Sequence, residues 1–144
     1  VVRALWLRAG RLPIGVATTY NGFDMSLPRE SSRQRDGYAA EQLALDYLLA
    51  RGLRLLERNY RVRVGELDLI MMHGSELVIV EVRKRSSTQF GGAVASVGAA
   101  KQLRLRRAAQ AFLSARFGTG SWPPVRFDVF AIDAGRIHWI SAAF

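Results

Sequence analysis

The chain has 144 residues, enough for one domain with a real core, and carries 21 Lys and Arg against 12 Asp and Glu, a formal net charge of +9. It has no Cys and two His, which excludes disulfides, a Cys nucleophile and Cys-based zinc or iron–sulfur sites and leaves oxygen as the expected ligand of any metal. No apolar run approaches a membrane span. The basic balance favours a polyanion as partner, most often nucleic acid. A GC-rich coding bias would account for Arg over Lys better than for the excess over acids.

Residues 1–36 are rich in Arg, Gly, Ser and Pro and show no periodicity, and no acid occurs between Val1 and Phe23. Ala4-Leu5-Trp6-Leu7 is too short for a secretory signal. An organellar transit peptide fits the composition weakly, and an extension upstream of a start at Met25 fits it as well. A poorly ordered basic extension is expected here, with at most a short helix at its beginning. One folded domain is expected over 37–144.

Asp36 to Gly52 reads as a helix, capped by Asp36 and ended by Gly52. Glu41 precedes Ala44, Leu45 and Leu48 at three-, four- and seven-residue steps, so its carboxylate lies on the apolar stripe. There it can meet the helix dipole, or it can be an acid aimed at a site on the sheet. Leu53 to Arg61 reads as the first strand. Gly65 to Arg85 reads as a hairpin with Gly74-Ser75 as a two-residue loop, Gly taking the first central position. Phe90-Gly91-Gly92 reads as a loop, and a second helix is expected from about Val97 to Phe117. Its buried stripe would be Leu105, Ala108, Ala109 and Phe112, with Lys101, Arg104 and Arg107 on a basic face. That face is either simply solvated or a contact surface for a phosphate backbone. Val125 to Ile132 and Arg136 to Ile140 read as a fourth and a short fifth strand. Asp128, His73 and His138 read as structural residues.

The hairpin holds the chemistry. Its register sets Asp68 opposite Glu81 and Glu66 opposite Arg83. Alternation puts Glu66, Asp68, Ile70, Ile79, Glu81 and Arg83 on one face. Leu67, Leu69, Met71, Val78, Val80 and Val82 fall on the other, expected to be the core face. Directly opposed like charges destabilise a sheet. A hard divalent cation would turn that repulsion into attraction, and Mg²⁺ is typically held by one or two carboxylates plus waters and substrate phosphates. Such a site with a basic residue two positions on suits phosphodiester hydrolysis. An ordinary solvated face with surface ion pairs accounts for the same spacing equally well.

Several segments together resemble one family. Glu41 in a Gly-x-x-x-Glu helix start, Arg58-Asn59-Tyr60-Arg61, Gly65-Glu66-Leu67-Asp68-Leu69-Ile70, Val80-Glu81-Val82-Arg83, Gly91-Gly92, Lys101-Gln102 and Arg126-Phe127-Asp128-Val129 are similar to the YraN family of uncharacterised bacterial proteins. That family resembles restriction-endonuclease-like PD-(D/E)XK nucleases, particularly archaeal Holliday-junction resolvases. The resemblance implies an α/β fold, an αβββαβ core with a central mixed sheet flanked by helices. It implies a cytoplasmic, Mg²⁺- or Mn²⁺-dependent endonuclease acting on nucleic acid, DNA first and branched DNA among the candidates. Glu41, Asp68 and Glu81 would be the metal acids, and residue 83 would stand where those nucleases carry the lysine that orients or deprotonates the attacking water. The candidate phosphate contacts are Arg58, Arg85, Lys101, Arg104 and Arg107. A two-fold dimer is implied by analogy with resolvases.

Two positions depart from the nuclease pattern. Arg83 replaces the lysine, and Leu67 replaces the proline before the first Asp. Arg keeps its proton but can stabilise phosphate charge. Lys84 should point to the opposite strand face, while Lys101 could reach in from the second helix. A nucleic-acid-binding protein of the same fold without catalysis is therefore the alternative, and a protein-binding role is the third.

Overall fold

In the computed structural model, residues 31–85 and 97–144 are described. The expectations for the N-terminal extension up to residue 30 and for the Phe90-Gly91-Gly92 loop lie outside them. The elements run α1 (Ser32–Leu49), β1 (Arg54–Val62), β2 (Gly65–His73), β3 (Glu76–Arg85), α2 (Ala99–Phe117), β4 (Val125–Asp133) and β5 (Arg136–Ile140). This is the expected αβββαβ order followed by the expected short fifth strand.

The strands form one five-stranded sheet in the order β1-β2-β3-β4-β5. All neighbours are antiparallel except β3 and β4, which are parallel and joined by the α2 crossover. The turn takes the expected form: His73 pairs with Glu76 across Gly74-Ser75, and Gly74 has φ +60°.

Helix α1 starts earlier than its apolar stripe suggests. Ser31, not Asp36, is the cap: its side chain accepts from the Gln34 N–H, and the Gln34 side chain accepts from the Ser31 N–H in return. That reciprocal box satisfies helix donors that would otherwise be orphaned, so it extends the helix through a polar first turn. At the other end the Gly52 N–H donates to Leu49 and the Leu53 N–H to Leu48, with Gly52 at φ +85°. This is the Schellman pattern, and both Leu48 and Leu53 are buried in one cluster.

Both sheet faces are covered. Helix α1 buries Ala40, Ala44, Leu45 and Leu48 against Leu69, Met71, Val78 and Val80. Helix α2 buries its expected stripe plus Leu113 against Leu67, Ile70, Leu77, Ile79 and Val129. The expectation of one core face is thus corrected. Ile70 and Ile79 are buried under α2, and Leu67 leaves the Leu69 face to join them.

The reason for the Leu67 switch is a break in alternation. Residues two apart on a strand normally share a face. Here Arg58 reaches Gln42 on α1 whereas Tyr60 packs edge-on against Phe112 of α2. Their cross-strand partners, Leu69 and Leu67, divide the same way. Between the two pairs stand Asn59, at φ +54°, and Asp68. A non-Gly residue in the left-handed region costs on the order of 1 kcal/mol, least for Asn. Burying Leu67 and the Tyr60 ring returns roughly 1.5–3 kcal/mol each, so the switch is favoured. Asn59→Gly is expected to leave urea-unfolding stability within about 0.5 kcal/mol or raise it. Asn59→Val is expected to cost about 1–3 kcal/mol, since a β-branched residue tolerates that φ poorly.

Candidate active site

The break leaves Asp68 beside the β3 backbone. The β2–β3 ladder keeps the expected register as far as Leu69 and Val80. Beyond it the Val82 N–H donates to Asp68 Oδ2 at 2.8 Å, so a carboxylate takes the place of a ladder carbonyl. Glu66 does not pair with Arg83. It faces Arg61 on β1 and accepts from its Nε at 2.9 Å.

Glu81 is only 4% exposed, on the α2 side of the sheet. Its Oε1 lies 3.1 Å from Lys101 Nζ and 3.2 Å from Arg83 Nε. The arginine contact is out of hydrogen-bond alignment, and Glu81 Oε2 is buried with no hydrogen-bond partner among the described residues. Lys101 sits in the first turn of α2, where its side chain drops onto the sheet. It does not extend the exposed basic face that Arg104 and Arg107 form.

Burial pushes the Asp68 carboxyl up from its ordinary 3.8 to about 7, and the Glu81 charge adds to the rise. The Val82 N–H and the Lys101 charge oppose it, and Glu41 raises it slightly. Glu41 approaches from α1. Its Oε2 lies 3.7 Å from Arg58 Nη2, and both atoms are buried without an aligned hydrogen bond among the described residues. Arg58 donates from Nη1 to Gln42 at 3.0 Å and lies 4.9 Å from the Tyr38 ring centroid.

Glu41, Asp68, Glu81 and Arg83 all line one open cavity of about 640 Å³, with Lys84 and Arg33 at its walls. The three expected acids therefore share a cavity. Among the described residues, however, no three acidic or histidine side chains stand close enough together to hold a metal ion. The Glu81 charge acts on Asp68 more strongly than that of Glu41, which makes Glu41 the outlying acid. Lys84 turns to the α1 side as expected, 3.4 Å from Asp36. The Arg85 side chain lies outside the described residues. Asp128 is fully buried and accepts from Arg126, Trp139 and the Ala142 N–H, which is a structural role. Sequence reasoning missed Tyr38 and Asn59 at this end of the sheet. An exposed aromatic in the first turns of a helix and an Asn inside a strand were the available signals.

An α/β protein with a five-stranded mixed sheet between two helices, and paired carboxylates at the break of its hairpin, is the class that fold and site define. Residues 40–132 match the uncharacterised protein family UPF0102, and the chain belongs to that family. A UPF0102 protein of Bordetella parapertussis is 53% identical over 117 residues, covering 79% of this chain and 66% of the relative. One from Stutzerimonas stutzeri is 50% identical over 120 residues, covering 79% of this chain and 98% of the relative. One from Nitrosomonas europaea is 50% identical over 117 residues, covering 79% and 97%. The chain thus spans about two thirds of the Bordetella relative's length. Among the described residues no helix is long and apolar enough to cross a membrane.

The raised Asp68 pKa has a definite sign. The unfolded chain loses this proton near pH 3.8 and the folded protein near 7. Between those values the folded state binds the extra proton, so stability falls as pH rises through the window. In metal-free buffer the wild type is expected to melt several degrees lower at pH 8 than at pH 5. Asp68→Asn should flatten that difference, as read by circular dichroism melts at both pH values.

Proposed function

We propose that this protein is a metal-dependent endonuclease acting on nucleic acid, DNA before RNA, by phosphodiester hydrolysis. The observation that carries the reading is the Asp68–Glu81 pair. Two carboxylates line one open cavity, Asp68 with its pKa raised to about 7 in part by the Glu81 charge, and Glu81 with a buried oxygen that has no hydrogen-bond partner among the described residues. That donor set fits a hard divalent cation such as Mg²⁺ or Mn²⁺, which needs oxygen ligands and relieves like-charge repulsion. Asp68 and Glu81 would hold it, while Glu41, the outlying acid, lines the same cavity without joining them. When bound, such an ion supplies charge neutralisation at the phosphate and an acidified water.

The chain's own residues do the rest. Arg83 can bind a phosphate oxygen, as its guanidinium geometry suits. Lys101 supplies, from α2, the ammonium that the strand lacks at position 83. From 3.1 Å it holds the Glu81 carboxylate in place and offers a proton beside it. Arg104 and Arg107, exposed on the same helix, extend a positive track away from the cavity. Cytoplasmic action and a two-fold pair presenting two such sites to two strands belong to the same proposal. The alternative is a nucleic-acid-binding protein of this fold without cleavage, favoured by Arg83 in place of the lysine.

Labelled duplex, branched and single-stranded DNA incubated with Mg²⁺ or Mn²⁺, and then with EDTA, tests this. Cleavage is expected to require metal and to vanish in Asp68→Ala and Glu81→Ala. Lys101→Met should lower kcat by about 100-fold or more while changing DNA affinity only a few-fold. Arg104→Glu with Arg107→Glu should weaken binding and lower its salt dependence by roughly two units of slope. Salt-sensitive binding without cleavage would establish the alternative, and cleavage surviving both acid substitutions would overturn the site.

A further inference from the structure

A second cavity, of about 510 Å³, meets the first at Asp68 and Glu41. Its other walls include Tyr38, Asn59, Arg61 and Glu66. Four of these six, Asn59, Arg61, Glu66 and Asp68, come from β1 and β2 at or beside the break in alternation, so the switch that re-aims Tyr60 and Leu67 also shapes this cavity.

Its chemistry differs from that of its neighbour. Three carboxylates, Glu41, Glu66 and Asp68, face it against the single guanidinium of Arg61, which is already paired with Glu66 at 2.9 Å. A phosphate would be repelled there. The first cavity also holds acids, Asp36, Glu41, Asp68 and Glu81, but adds Arg33, Arg83 and Lys84 in its wall and Lys101 behind Glu81, so with a cation on its carboxylates it is the one suited to a phosphate. What the second cavity offers is an aromatic face with hydrogen-bonding groups around it. Tyr38 is 59% exposed, the most exposed large hydrophobic residue described, and Arg58 lies 4.9 Å from its ring centroid. The Asn59 carboxamide presents a donor and an acceptor, and the Arg61–Glu66 pair presents more of each. A π-face to stack on, with edge-reading amides and carboxylates, is the chemistry that recognises a neutral nucleobase.

We propose that this second cavity receives the base of the nucleotide adjoining the phosphate held in the first, stacked on Tyr38 and contacted at its edge by Asn59. The inference rests on the reading of the first cavity as a phosphodiester site and adds a substrate requirement to it. A base inside a continuous duplex cannot enter such a cavity without leaving its stack and its pairing partner, at a cost that is least for a base already unpaired. The substrate is thus a nucleic acid with an unpaired nucleotide beside the reacting phosphate.

The test uses two DNA duplexes of one sequence, one carrying a single extrahelical 2-aminopurine and the other fully paired. Binding is measured by anisotropy in Ca²⁺, and stacking by 2-aminopurine emission. The wild type should bind the extrahelical duplex about tenfold more tightly, a difference within the range of one base stacked on an aromatic ring, and should quench its emission. Tyr38→Ala should lose both the preference and the quench, whereas Tyr38→Phe should keep both. DNA binding with no preference between the duplexes, or a preference unchanged in Tyr38→Ala, overturns the base subsite and leaves the phosphodiester reading standing. No salt-sensitive binding to either duplex overturns both.

Discussion

The arrangement of this end of the molecule depends on one ion pair, between the buried Glu81 carboxylate on β3 and the Lys101 ammonium on α2. Burying a carboxylate that is only 4% exposed is costly unless a cation lies close by. Arg83, 3.2 Å from the same oxygen on β3, offsets part of that cost, and Lys101 is the cation that comes from another element. The pair therefore fixes where the first turn of α2 sits over the hairpin. Asp68 then lies between a negative charge and a positive one, with burial tipping its proton affinity upward.

Two packed cores hold this polar site open between them. Helix α1 and helix α2 cover opposite sheet faces, and the face switch at Asn59 and Asp68 is where the two cores meet the cavities. Breaks of this kind in a sheet re-aim side chains and end regular pairing. Here the result is that Asp68 takes the Val82 N–H and Arg58 is turned toward Glu41, while Tyr60 and Leu67 add to the α2 core.

Much of this was legible in residue order. Gly74-Ser75 announced the loop and with it the register, which the structure follows through Leu69 and Val80. The apolar steps of α2 named the residues it buries, and Gly52 marked the end of α1. The start of α1 was not legible, because a polar capping box at Ser31 and Gln34 leaves no apolar periodicity. Leu67 was assigned to the wrong face because strict alternation was assumed. The break that overrides it comes from packing against two helices, not from any turn signal.

Charge, the absence of Cys, the acids within the hairpin and the order of elements are local properties, and the sequence by itself determined them. It also showed that position 83 is an arginine. That a second cation meets Glu81 beside Arg83 was decided only by tertiary structure, since Lys101 lies one crossover away in the chain and reaches β3 because α2 packs across that face. The same holds for Glu41, which pairs with Arg58 from the other face, and for the two cavities that meet at Asp68. Proximity between elements distant in sequence is set by how their apolar faces are buried, and spacing along a single strand or helix carries no record of it.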